Sequence, residues 1–175
     1  MPATLPQAMG FLLGVLLAIV LLTPLGARGD DLRAGLSADV SGLPELEASL
    51  HRTVNDWRGG RHLTELVRLP ELDAVARGHS ADMASRGYFA HETPEGANPV
   101  DRIHAGGVAG FSLAAENVGM TNRGNPNGEV FGGWLQSKDH FENLRAPSWN
   151  ATGVGIARRA DGTLFYTQVY VTFPR

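Results

Sequence analysis

Two β-prone runs close the chain, ATGVGIA (Ala151 to Ala157) and TLFYTQVYVTF (Thr163 to Phe173), with RRADG between them. That pattern predicts a hairpin. In the second run Leu164, Tyr166, Val169 and Val171 place apolar side chains on both alternating faces. A strand apolar on both faces must be covered on both, so it lies inside a sheet with a layer on each side.

The covering layers come from upstream. Leu43, Leu46, Leu50, Val54 and Trp57 recur at three- and four-residue steps, with Pro44 in the first turn and Gly59-Gly60 as the stop. A second helix begins near Pro70. Its inner face is Leu72, Val75, Ala76, His79, Met83 and Ala84, and Gly87 caps its end. NPVDRIHAGG predicts a short helix with Asn98 as N-cap and Pro99 at its first position. AAENVGMT (114–121) is small and β-prone at its end, and NRGNPNG reads as a loop. Residues 129 to 137 predict a fourth helix with Val130, Phe131 and Trp134 on one side, and DHFENL a short helical turn. Helices first and antiparallel strands last predict the α+β class, as a three-layer α-β-α sandwich around a mainly antiparallel sheet.

Residues 9 to 27, MGFLLGVLLAIVLLTPLGA, are almost wholly apolar. The run reads as a signal peptide with small residues at its end, or as a retained N-terminal membrane anchor. Either reading exports the rest: secreted, periplasmic, or anchored and facing outward. Residues 28 to 42 form a polar, flexible lead-in, and residues 43 to 175 the folded domain. The chain has no cysteine, which excludes disulfides, Cys-ligated zinc and a thiol nucleophile. A formal net charge of -3, with no basic patch, argues against nucleic acid as a partner.

Six histidines are the main source of chemistry. His51 reads as an exposed helix position, His62 as a loop residue, His104 as a helix-end cation and His79 as a hydrogen-bonded core residue. His91, in GYFAHETPEG, and His140 each stand where a regular element gives way to a turn, and such places carry function more often than element interiors. Between them in the chain lies Glu116, flanked by apolar and small residues; burying it requires a partner. Two imidazoles and a carboxylate suit either a divalent metal such as zinc or a proton-transferring His–Glu pair. Spacing alone does not bring the three together. Gly153 to Gly155 lack the strand-loop-helix context of a dinucleotide site.

The ordered stretches LPELDAVARGHSADMASRGYFAHETPEG, AAENVG, GWLQSKDHFENL and TGVGIA…YTQVY resemble the successive motifs of the CAP superfamily, the SCP-like proteins also named for cysteine-rich secretory proteins, antigen 5 and pathogenesis-related 1. The likeness is to the cysteine-free bacterial branch and runs from Leu43 to the C-terminus. It implies an α-β-α sandwich with a cleft holding two histidines and two acidic residues. Matched motif by motif, His91 and His140 take the histidine places and Glu116 one acidic place. Ser137 stands where many eukaryotic members carry Glu, and Glu142 lies two residues beyond His140. The candidate metal ligands are therefore His91, His140 and Glu116, and the candidate catalytic residues are these three with Ser137. Asn117, Asn143, Trp134 and Gln168 read as cleft support.

Three functions follow as expectations. The first is a secreted binding module for a lipid, a cell-wall fragment or a peptide, with or without a metal. The second is a hydrolase, run by a metal or by His-activated Ser137. The third is a structural envelope protein with a vestigial cleft.

Overall fold

The computed structural model describes residues 42 to 174; the apolar run and most of the lead-in lie outside them. Five helices and four strands follow in the order α1 (Leu43–Gly59), β1 (Val67–Arg68), α2 (Pro70–Arg86), α3 (Pro99–Ala105), β2 (Leu113–Thr121), α4 (Pro126–Gln136), α5 (Lys138–Arg145), β3 (Ala151–Arg158) and β4 (Leu164–Thr172). The sheet order is β1-β3-β4-β2. β4 pairs antiparallel with both neighbours, and β1 pairs parallel with β3.

β4 is interior, and every residue from Leu164 to Val171 is buried. On one face Leu164, Tyr166 and Tyr170 pack with Leu50 and Val54 of α1, Val130 and Trp134 of α4 and Leu144 of α5. On the other, Val169 and Val171 pack with Leu72, Val75 and Ala76 of α2 and Ile103 of α3. The three layers are thus α1/α4/α5, the sheet, and α2/α3. Among the described residues no helix is long and apolar enough to cross a membrane.

α2 lies directly on β3. A Cβ at Gly153 would fall 2.1 Å from the Leu72 carbonyl carbon, and one at Gly155 would fall 2.0 Å from the Arg77 backbone nitrogen. The two glycines of TGVGIA are there for this approach of helix to strand.

The first three helices start and stop where the sequence predicts, with Gly87 left-handed at the end of α2 and a full capping box at Asn98. α4 starts earlier than expected: Asn125 caps it and Pro126 opens it, so the last three of the seven expected loop residues are helix. AAENVGMT is strand throughout, because it ladders along the whole of β4. Two-residue β1 has no sequence signature. His51 is half-buried rather than exposed, with Nε2 2.9 Å from the Leu66 carbonyl.

Charged side chains cross-link the layers where disulfides are excluded. Glu47 of α1 is 1% exposed. Its carboxylate accepts bonds from Arg77 (2.8 and 2.6 Å), Arg68 (3.0 Å) and the backbone N–H of Ile156 (3.1 Å). Asp73 of α2 accepts from Arg68 and from the backbone N–H of Val154. The buried Arg58 guanidinium donates to the carbonyls of Thr64, Leu144 and Ala146, tying the end of α1 to the end of α5.

Truncating Glu47 leaves the buried Ile156 N–H without its acceptor and takes a shared carboxylate from Arg77 and from Arg68, which keeps only Asp73. Glu47→Ala is expected to lower stability by about 3–5 kcal/mol, the usual cost of removing one partner of a buried ion pair. Urea denaturation measures it, and a loss under about 1 kcal/mol would assign the cross-link no more weight than a surface pair.

Candidate functional site

β2 is an edge strand, and Glu116 and Asn117 project from it to opposite faces of the sheet. Glu116 turns towards α2 and α3. Its carboxylate is 1% exposed, and both oxygens are occupied. Oε1 accepts from His91 Nδ1 at 2.9 Å, and Oε2 from the Arg102 guanidinium at 2.6 Å. His79 Nε2 lies 3.8 Å from Oε1. A second bond from Arg102 goes to the Ala97 carbonyl, so α3 is anchored at the same point.

A carboxylate only accepts, so the hydrogen bond to Glu116 puts a proton on His91 Nδ1, and in the neutral ring Nε2 carries the lone pair. The His91 side chain is 48% exposed. A buried ion pair thereby orients an exposed imidazole.

His140, in the first turn of α5, arrives from the other face of the sheet. Its ring meets His91 edge-on with centroids 5.7 Å apart. Neither of its nitrogens has a hydrogen-bond partner among the described residues, and its backbone carbonyl accepts from Asn117 Nδ2 at 3.1 Å. Burial, with His91 beside it, holds its pKa below the ordinary imidazole value.

Asn143 Nδ2 donates to the Glu116 carbonyl and to Asn117 Oδ1. Asn117 reaches the Tyr170 hydroxyl, which donates to Gln168 Oε1, and Gln168 Nε2 donates to Thr152. Gln168 is buried, three hydrogen bonds from His140, rather than on a cleft floor. Trp134 is core; its indole N–H donates to the Val118 carbonyl at 2.7 Å. Asn143 and Trp134 together occupy carbonyls on the outer edge of β2, where another chain could otherwise pair.

Two expected combinations do not assemble. Among the described residues no group of three or more His, Cys, Asp or Glu side chains is placed to hold a metal. The reason is local: Glu116 is engaged by Arg102 and His91, which leaves two imidazoles against the three protein donors usual for catalytic zinc. Ser137 caps no helix with its side chain and makes no hydrogen bond to either imidazole among the described residues. Glu142 turns away to pair with Arg145.

The sequence reading does not single out Arg102. His79, expected as a hydrogen-bonded core residue, is one. In the fold His79 is buried and donates from Nε2 to the carbonyl of Ala90, next to His91, at 2.9 Å. A buried carboxylate needing a cation was the available signal for Arg102.

Burial also holds His79 below the ordinary imidazole value of 6.5. For a depressed histidine the unfolded chain takes up protons that the fold refuses. The fold therefore loses stability as pH falls below about 6.5 towards the folded value, and regains it as pH rises. Urea midpoints are expected to drop between pH 7 and pH 5. His79→Gln, which keeps a donor for Ala90, is expected to flatten that drop. An unchanged slope in the variant would place the acid sensitivity elsewhere.

The model of the CAP family, the cysteine-rich secretory protein family, matches residues 51–170. The chain is 32% identical over 131 residues to the YkwD protein of Bacillus subtilis, covering 75% of this chain and 49% of YkwD. It is 33% identical over 97 residues to the B. subtilis membrane protein YlbC, covering 55% of this chain and 26% of YlbC. It thus spans about half of one curated relative and a quarter of the other. An extracellular SCP-domain protein of Bacillus anthracis superposes with a TM-score of 0.65 at 30% identity, over 74% of this chain and 41% of that one. An outer surface protein of Borrelia burgdorferi superposes with a TM-score of 0.69 at 20% identity, over 78% and 96%, which bears on the fold alone. The chain belongs to the cysteine-rich secretory protein family, and its fold is the α-β-α sandwich expected of it.

Proposed function

We propose that this CAP-family chain is an exported binding module, and that the His91–His140 surface grips a polar group of a cell-wall fragment, a peptide or a lipid. One observation carries the reading: the buried Glu116 carboxylate divides itself between Arg102 and His91. Burying that charge is costly, and its geometric result is the fixed orientation of an exposed ring. His91 then offers an acceptor at Nε2, beside the neutral ring of His140. Export is supported by the apolar run at residues 9 to 27 and by the extracellular description of the B. anthracis relative.

A second reading, hydrolysis, rests on the same pair, since a carboxylate-oriented imidazole is the form of a general base. One feature weighs against it. The Ser137 hydroxyl is not hydrogen-bonded to either imidazole. A zinc-bound water is not supported either, because Glu116 is taken.

The test is co-sedimentation of the purified protein with isolated peptidoglycan sacculi and with phosphatidylglycerol vesicles, and peptide-array binding. Retention by one of these is expected, weakened roughly tenfold in the His91→Ala/His140→Ala double variant, the scale of one or two lost hydrogen bonds. Unchanged retention in that variant would remove the two histidines from the binding role. Peptide turnover abolished by His91→Ala would replace the binding module with the hydrolase.

The melting temperature is expected to be the same with EDTA and with added zinc. A rise of several degrees with zinc, lost in His140→Ala, would bring a metal back.

A further inference from the structure

α1 opens at Leu43, and Leu43 is buried at the edge of a groove. Two adjoining hollows, of about 470 and 210 Å³, share Leu43, Arg77 and Ile156. They lie along β3 where β1 has ended, with α2 as the facing wall. Ala81 and Ala84 of α2, Ile156 and Ala157 of β3, and Leu43 and Ala160 make the walls mainly apolar.

The chain that precedes α1 starts at the mouth of this groove. Gly42 joins it to Leu43 in a left-handed backbone, φ +83°, although a Cβ there would touch nothing. The glycine therefore serves the turn and not a close approach. Helix N-caps ordinarily take an extended backbone, so the chain bends into α1 in an uncommon way.

The six residues before that turn are LSADVS, Leu36 to Ser41, which lie outside the described residues. Leu36, Ala38 and Val40 are apolar, and Ser37, Asp39 and Ser41 between them are polar. Alternation of this kind is the pattern of an extended segment with one face covered. A lead-in that only trailed through water would have no use for it.

The charges agree with this. Three arginines, Arg77, Arg158 and Arg159, line the groove against one carboxylate, Glu47. Arg77 meets Glu47 through Nε and Nη2, which leaves Nη1 for a second carboxylate, and its side chain is 47% exposed. Asp39 is the one charged residue between Leu36 and Ser41.

We propose that residues 36 to 41 dock in this groove, with Leu36, Ala38 and Val40 against the apolar walls and Asp39 on Arg77. The segment is joined directly to α1, so it meets the groove at high effective concentration and weak contacts suffice to hold it. Its contacts are side-chain ones, because Asp73 and Glu47 already occupy the outward N–H groups of Val154 and Ile156. The groove borders β3 and the histidine surface borders β2, so docking leaves His91 and His140 uncovered. The proposal does not depend on the role assigned to those histidines.

The test is ¹⁵N relaxation of the uniformly labelled full chain in detergent micelles. Backbone order parameters at residues 36 to 41 are expected at about 0.85, the rigid range, and below about 0.6 once docking is broken. Two variants break it from opposite sides. Leu36→Asp/Val40→Asp alters only the segment. Ala81→Glu alters only the groove, at an exposed position of α2 where glutamate suits the helix. Both are expected to loosen residues 36 to 41 and to leave the order of α1 and β3 unchanged. Equal order in the unaltered chain and in the variants, high or low, would overturn the docking. Order that appears only as protein concentration rises, with a dimer in sedimentation, would give the groove to a second copy and equally overturn it.

Discussion

Glu47 stands where four segments of a cysteine-free chain meet. Its carboxylate, on α1, holds Arg77 of α2 and Arg68 of β1, and takes the backbone N–H of Ile156 in β3. β1 is only two residues long and pairs with Ala151 and Thr152. The next outward donors of β3, at Val154 and Ile156, would be an open edge. Asp73 takes the first and Glu47 the second. One cluster of charges therefore finishes the sheet edge and fixes both helical layers against it. Gly153 and Gly155 make this possible, because only their missing side chains let α2 come close enough to β3.

The opposite edge is finished in the same manner, and the functional site grows out of it. Trp134 and Asn143 occupy outward carbonyls of β2. The strand's alternation sends Glu116 to one face and Asn117 to the other, so one dipeptide positions both histidines. Glu116 orients the ring of His91, and Asn117 holds the backbone of His140. Behind Asn117 a hydrogen-bonded chain through Tyr170, Gln168 and Thr152 is satisfied at each member, and such a network specifies one geometry where a partly satisfied one would not. Edge protection and site construction are the same set of bonds.

Local chemistry explains which parts of this were legible in the sequence. Helix ends at Asn98, Gly87 and Gly59-Gly60 were readable because proline, glycine and capping side chains act on their immediate neighbours. The full length of β2 was not, since Ala114, Ala115 and Glu116 are poor strand formers held extended by pairing with β4. The start of α4 was readable from Asn125-Pro126, but the glycine and asparagine around it favoured a loop. His91, Glu116 and His140 emerged as a set only through family likeness, because residues some two dozen positions apart carry no mutual signal. His79 was readable as hydrogen-bonded core from its place on the apolar face of α2. Arg102 was not singled out, because which cation answers the carboxylate is a tertiary fact, set by the depth at which Glu116 is buried. That same depth removes Glu116 from the metal set that the residue types alone would support.

The account depends on Glu116 fixing the proton of His91 on Nδ1 so that Nε2 faces outward. Long-range ¹H–¹⁵N correlation spectra of the imidazoles at neutral pH measure this directly. The account predicts that His91 is the Nδ1–H tautomer and that it reverts towards the Nε2–H form in Glu116→Ala, without loss of the fold. A His91 ring protonated on Nε2 in the unaltered protein would contradict it.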